Sequence, residues 1–192
     1  MLSKRKIEER KVRQDKILDG ALRVFEIHGI EKTTMDEIAN ESGFGKATLY
    51  YYYGSKDEVF VAIMEQGWKN LWEAIENKIV EEKSPKNKFI GIVKEMGLTV
   101  KSNSNLYGFL FTAPNYIQDT SQQTWKTYQE RLYAILKSIL DEGIKQKEFV
   151  NMDTGVLMKA IGGIFHGLFI NSKDDINEHD IELMLNNLLN PK

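Results

Sequence analysis

The chain has 192 residues, of which 42% are hydrophobic and 28% charged. At roughly 100–200 residues per domain this is one large domain or two small ones, with a real core, and a chain disordered throughout is excluded. There is no cysteine, and 26 basic against 28 acidic residues leave a formal net charge of −2. Disulfides, thiolate catalysis and zinc fingers are therefore excluded, as is a bulk polycation that coats nucleic acid. The longest strongly apolar run, residues 160–170 with His166 inside it, falls short of the roughly 20 residues of a membrane span. The N-terminus, Met1-Leu2-Ser3-Lys4-Arg5-Lys6, runs on into charge; no signal peptide is expected, no membrane partner, and a reducing cytoplasm fits.

Prolines occur only at 85, 114 and 191. Apolar residues recur at three- and four-residue spacing, so the chain reads as all-α, with about nine helices at roughly 3.6 residues per turn. Charge is uneven at the start: residues 1–16 carry Lys4, Arg5, Lys6, Arg10, Lys11, Arg13 and Lys16 against Glu8, Glu9 and Asp15. This is either a phosphate-seeking arm or a solvated helix start.

The first helix follows. Ile17, Leu18, Ala21, Leu22, Val24, Phe25 and His28 share one face, and Gly29 stands where a left-handed residue ends a helix. His28 is expected as a packed or last-turn side chain. Thr34-Met35-Asp36-Glu37 spells a capping box, opening a short helix to about Ser42 with Met35, Ile38 and Ala39 turned inward. Gly43 breaks it, and a second short helix occupies about Lys46 to Tyr53. Ser55-Lys56-Asp57-Glu58 is another capping box, opening a long helix from Lys56 to about Val80. Two short helices joined by a glycine turn make a helix-turn-helix at about 34–53.

The second short helix carries the functional signal. At about 100° per residue from Lys46, Leu49 lies near 300° and Tyr53 near 340°, on the side that anchors. The opposite face centres near 140° on Tyr51, with Ala47 near 100° and Thr48 near 200°, flanked by Tyr50, Tyr52 and Lys46. A helix cannot bury four successive tyrosines on one side, so this face is expected to meet a partner. Small residues admit a groove, hydroxyls bond phosphates and base edges, and aromatic faces pack on thymine methyls.

Residues 33–58, from Thr33-Thr34 through Ile38-Ala39, Gly43, Lys46-Ala47-Thr48-Leu49-Tyr50-Tyr51-Tyr52-Tyr53 to Ser55-Lys56-Asp57-Glu58, resemble the signature of the tetracycline-repressor-like (TetR) family. The likeness spans about residues 11–71. Tyr53 stands where Phe is usual and Gly54 where a polar residue is common, and neither change removes a DNA-facing group. The resemblance implies a homodimeric transcriptional regulator that binds double-stranded operator DNA, usually a repressor released by a small-molecule effector. It implies an N-terminal three-helix DNA-binding domain over 11–71 and a larger helical ligand-binding and dimerisation domain over 72–192. By the resemblance, Thr34 caps the second helix and bonds a phosphate with Thr33 beside it. Lys46, Ala47, Thr48 and Tyr51 face the major groove, Tyr50 and Tyr52 bond flanking phosphates, and Lys56 meets a phosphate at a helix N-terminus.

Ser84-Pro85 is a strong helix start. Helices are expected at about 85–102, 104–113, 117–147, 153–172 and 177–189. Trp68, Met96, Tyr107, Phe111, Trp125, Tyr128 and His166 are candidates to line an apolar pocket between them. Residues 160–170 are apolar nearly all round, the mark of a helix buried on both sides. With the last helix, Gly163, Gly167, Phe169, Leu185 and Leu188 are candidates for a four-helix dimer interface.

Catalytic and metal signals are poor, and no cofactor is expected. His28, His166 and His179 are isolated. Gly45-Lys46-Ala47-Thr48 misses the phosphate-loop pattern at Asn40 and Ala47. Asp174-Asp175 reads as a solvated turn. Three readings remain: a ligand-gated repressor, a DNA-binding scaffold controlled by a protein partner, and a helical enzyme with a fused helix-turn-helix, which the missing catalytic constellation disfavours.

Overall fold

The computed structural model describes residues 4–81, 84–113, 116, 124–172 and 177–190. Among these the chain is all-α. The order is α1 (Lys4–His28), α2 (Met35–Ser42), α3 (Lys46–Tyr52), α4 (Lys56–Glu81), α5 (Pro85–Ser102), α6 (Ser104–Thr112), α7 (Thr124–Lys145), α8 (Thr154–Phe165), a π-helical turn (His166–Ile170) and α9 (Glu178–Leu189). The expected helix start at 117 and the Asp174-Asp175 turn lie outside the described residues.

The N-terminal helices form where their stop and start signals say. Gly29 ends α1 at φ +75°, a left-handed conformation that costs glycine nothing. His28 lies exposed in the last turn of α1. Ile17, Leu18, Ala21, Leu22 and Phe25 of α1 share one core with Ile38 and Ala39 of α2, Leu49 of α3 and Val59, Phe60 and Ile63 of α4. The crossing of α1 and α2 is close: a Cβ on Gly20 would sit 2.8 Å from Ser42 Cβ and 2.9 Å from its backbone.

Helix α4 belongs to both halves of the molecule. It packs on α1 at its start and on α5, α6 and α7 beyond, so the boundary expected between 71 and 72 falls inside one continuous helix. Its own start departs from the box pattern. Ser55 Oγ accepts from Glu58 N at 3.2 Å, but the Glu58 carboxylate takes the amide of Gly54 at 2.8 Å, one residue earlier than the pattern implies.

The C-terminal helices are tied by a second set of caps. Ser84 caps α5, and the Glu148 carboxylate, from the turn after α7, accepts from Ser84 Oγ at 2.6 Å and Lys86 N at 2.9 Å. Val150 N donates to Leu189 O at 2.8 Å, fastening that same turn to the end of α9. The helix expected at 153–172 stays α-helical only to Phe165, then widens by one residue per turn, with Asn171 N reaching His166 O at 3.0 Å. The widened turn seats Phe169 against Gly97 of α5, where a Cβ would lie 2.5 Å from the ring.

Gly20→Ala is expected to destabilise the fold by about 1–3 kcal/mol, because backbone stands in its way. Gly108→Ala, on α6 with nothing within 4 Å of its Cβ position, should be neutral or stabilising by up to about 1 kcal/mol. Chemical denaturation of both variants checks the α1–α2 crossing.

Candidate nucleic-acid interface

The interface is built on two caps and one turn. Thr34 starts α2 with a complete capping box: Glu37 N donates to Thr34 Oγ1 at 3.3 Å, and Thr34 N donates to the Glu37 carboxylate at 2.7 Å. The Thr34 amide first, and second the Thr34 hydroxyl donating to the same oxygen at 2.8 Å, hold the Glu37 carboxyl below its ordinary range. Gly43 closes α2 at φ +74°, with its amide on Asn40 O and Phe44 N on Ala39 O. Two residues later Gly45 stands at the N-cap of α3. This fixes the angle between the helices and hence the face that α3 presents.

Helix α3 shows two sides. Leu49 and Tyr53 are buried, and burial pushes the Tyr53 hydroxyl up to about 12. On the other side Tyr51 is 70% and Tyr50 53% exposed. Lys46 and Ala47 are exposed, Thr48 and Tyr52 half-buried. Lys46 forms an ion pair with Asp36 of α2, which ties the two helix starts together. Thr34 is exposed. Lys56, half-buried in the first turn of α4, donates from Nζ to Glu31 O at 2.9 Å. Its charge stays uncompensated by that neutral carbonyl.

Thr33 differs from expectation. It is 3% exposed, and its hydroxyl donates to Gly29 O at 2.8 Å. It therefore closes the turn after α1 and does not lie on the surface that holds Thr34.

Arg10 was not singled out in sequence. Its guanidinium lies 5.8 Å from the Tyr51 ring centroid and 5.7 Å from that of Tyr52, and the two rings meet edge to face at 5.2 Å. The basic start of α1 thus stands beside the exposed face of α3. The local charge of residues 1–16 was the available signal; its location needed the fold.

A separate cavity of about 300 Å³ lies between α5, α6, α7 and α8. Met96, Phe111 and His166 line it, with Phe89, Val93, Tyr133, Leu136, Met158, Ile161, Gly162, Phe165 and Ile170. Phe89, Val93 and Met96 fall at i, i+4 and i+7 of α5, a spacing that could have marked that wall. The other four pocket candidates lie elsewhere. Trp68, Tyr107 and Trp125 are core side chains, and Tyr128 lines a polar groove with Asp15 and Glu65. Trp68 stands behind the wall, edge-on to Phe111 at 5.7 Å. The lining, among the described residues, contains no Lys, Arg, Asp or Glu.

The dimer candidates also divide. Gly163 and Gly167 are exposed, with open space where a Cβ would go, and Leu188 is partly exposed. Phe169 and Leu185 are buried within the chain, because the widened turn rotates Phe169 onto Gly97 and Leu185 is on the inner face of α9. Residues 160–170 are therefore not enclosed by their own chain: Val156, Ala160, Gly163 and Gly167 leave an uncovered stripe.

Comparison with known proteins follows this geometry. Residues 17–63 match the model of bacterial regulatory proteins, tetR family. The HTH-type transcriptional regulator YfiR of Bacillus subtilis is 28% identical over 171 residues, covering 80% of this chain and 82% of that protein. IcaR of Staphylococcus aureus, negative regulator of the biofilm operon icaADBC, is 34% identical over 74 residues, 38% of each chain. The crystal structure of AibR in complex with isovaleryl coenzyme A and operator DNA superposes with a TM-score of 0.80 at 19% identity, covering 94% of this chain and all of that one. The matched segment holds α2, α3 and the first turns of α4, the same elements that build the exposed tyrosine face. Over residues 17–63 the chain is similar to the tetR family of bacterial regulatory proteins, and along most of its length to an HTH-type transcriptional regulator.

Proposed function

We propose that this chain works as a homodimeric repressor that α3 seats in the major groove and that a small, mostly apolar ligand releases. The observation that carries the reading is the division of α3: Leu49 and Tyr53 locked in the core, Tyr50 and Tyr51 more than half exposed on the other side. In this reading Ala47, Thr48 and Tyr51 meet base edges, and Lys46 exchanges Asp36 for the duplex. Thr34, Tyr50, Tyr52 and Lys56 meet phosphates, and the basic start of α1 adds sequence-independent attraction. Residues 11–71 serve as the reading head and 72–192 as the sensing and pairing part.

The ligand reading rests on the cavity. A molecule enclosed by it is uncharged, because no ionised side chain waits to pair with it; His166 and the Tyr133 hydroxyl are the groups able to orient one polar atom. AibR shows a relative in fold that was crystallised with both an acyl thioester and operator DNA. Applied here, an acyl chain fits the lining, while a charged carrier group has to remain outside.

Pairing rests on the uncovered stripe of α8 with Leu183 and Leu188 of α9, which are 52% and 37% exposed. Stacked on a second copy, the glycines at 163 and 167 allow close helix approach. Gating follows from α4, which carries Lys56 at its start and Trp68 behind the cavity wall. A ligand that presses on Phe111 moves Trp68, and a stiff helix carries the displacement to the head. No helix among the described residues is long and apolar enough to cross a membrane, and we place the protein in the cytoplasm, with its DNA.

Tyr51→Ala should lose about 1–3 kcal/mol of affinity for a selected operator with little change on unselected duplex. Lys56→Ala should weaken both alike and make the salt slope shallower by roughly one unit; fluorescence anisotropy across a salt series separates the two. Sedimentation at micromolar concentration should show a dimer, and Gly163→Glu, at an exposed position with open space around an added Cβ, should give a folded monomer. Met96→Trp, which fills the cavity, should leave operator binding intact and abolish release by an acyl ligand. Release that survives the filled cavity would place the sensor elsewhere.

A further inference from the structure

Four residues beyond the end of α6, Tyr116 reaches back to the first turn of α4. Its hydroxyl donates to Asp57 Oδ1 at 3.1 Å, and its ring lies 5.1 Å from that of Phe60. The Lys56 ammonium stands 6.0 Å from the same ring centroid. Sequence spacing gives no hint of this: Tyr116 and Asp57 are 59 positions apart.

We propose that Tyr116 is a positioning residue for the phosphate-binding turn of α4, holding the Lys56 cation outward and the Asp57 carboxylate occupied. This rests on the reading of Lys56 as a phosphate contact. Two uncharged groups steady Lys56, the Glu31 carbonyl and the Tyr116 ring face. Neither neutralises its charge, so a phosphate still finds a full cation. Asp57 is the difficulty. It lies in the first turn of α4, where a carboxylate is drawn to the same amide groups and the same positive helix end that attract a phosphate. A hydroxyl bonded to Asp57 satisfies one of its oxygens and restricts its rotamers. Once freed, the carboxylate turns on the helix end and competes with DNA. Burial first, and Asp57 second, hold the Tyr116 hydroxyl above the ordinary tyrosine range.

The position of Tyr116 also matters for control. It stands four residues past α6, whose Phe111 is part of the cavity wall, and its amide bonds the O of Ala113, the residue that caps α6, at 3.3 Å. A shift of α6 therefore reaches the DNA-facing turn through Tyr116 without passing along α4.

The test is a double-mutant cycle on the full chain. The probes are a duplex selected from a random library with the wild-type protein and an unselected duplex of equal length. Tyr116→Phe keeps the ring and removes the donor. It should weaken both duplexes by roughly five- to tenfold, with the melting temperature unchanged, and should add little in an Asp57→Asn background, where there is no carboxylate charge to release. Wild-type affinity in Tyr116→Phe would overturn the proposal. So would an equal loss in the Asp57→Asn background, with or without a lower melting temperature, since the loss would then not run through the Asp57 charge. A wild-type protein that bound neither duplex would instead sink the reading of the head as a DNA reader, and this proposal with it.

Discussion

A helix of seven residues does not hold itself together in water; helices shorter than about 12–15 residues are marginal even in favourable sequences. Everything functional in this molecule depends on how α3 escapes that limit. Leu49 and Tyr53, four residues apart, are sunk in the core made by α1, α2 and α4, and the glycine turn at 43–45 fixes the direction of entry. With one side held so firmly, the remaining side chains need contribute nothing to stability. That freedom lets Tyr50 and Tyr51 stand in water and keep their hydroxyls for a partner. It also explains why the start of α4 follows at once: Tyr53 is both the last anchor of α3 and the residue that precedes the turn carrying Lys56.

The same economy of contacts links the head to the rest. Helix α6 holds two aromatic side chains two positions apart that face different neighbours. Phe109 stacks on Phe25 of α1 at 5.6 Å and meets Phe60 of α4 at 5.7 Å. Phe111 meets Trp68 of α4 at 5.7 Å and Phe165 of α8 at 6.2 Å. One short helix thus touches both the reading head and the cavity wall. Close-packed aromatic contacts transmit displacement because they have little room to absorb it. On the proposed reading, a differential affinity of only about 1–3 kcal/mol between two arrangements is enough for a ligand to act.

Much of the head was legible in the sequence because its determinants are local. The Thr34–Glu37 box, the glycines at 29 and 43, and the angular split of α3 each depend on residues within one or two turns. What failed to show was set by distant partners. Thr33 looks like Thr34 in sequence, yet its hydroxyl is spent on Gly29 O. Phe169 looks like an interface residue until the widened turn brings it onto Gly97. Trp68 and Trp125 look like pocket residues, yet both are core, with indole nitrogens that meet no acceptor among the described residues. Arg10 and Tyr116 gain their meaning only when α1 and the end of α6 are folded against α3 and α4. Periodicity says which face is apolar; it does not say which neighbour covers it.

The central claim is that the exposed face of α3 enters the major groove, once per protomer. Methylation interference on a selected duplex tests it most directly. Guanine N7 lies in the major groove and adenine N3 in the minor. The account predicts that N7 methylation blocks binding in two clusters about 34–36 Å apart, or a multiple of that, while N3 methylation within those clusters is tolerated. Interference confined to adenine N3, or a single N7 cluster, would contradict it.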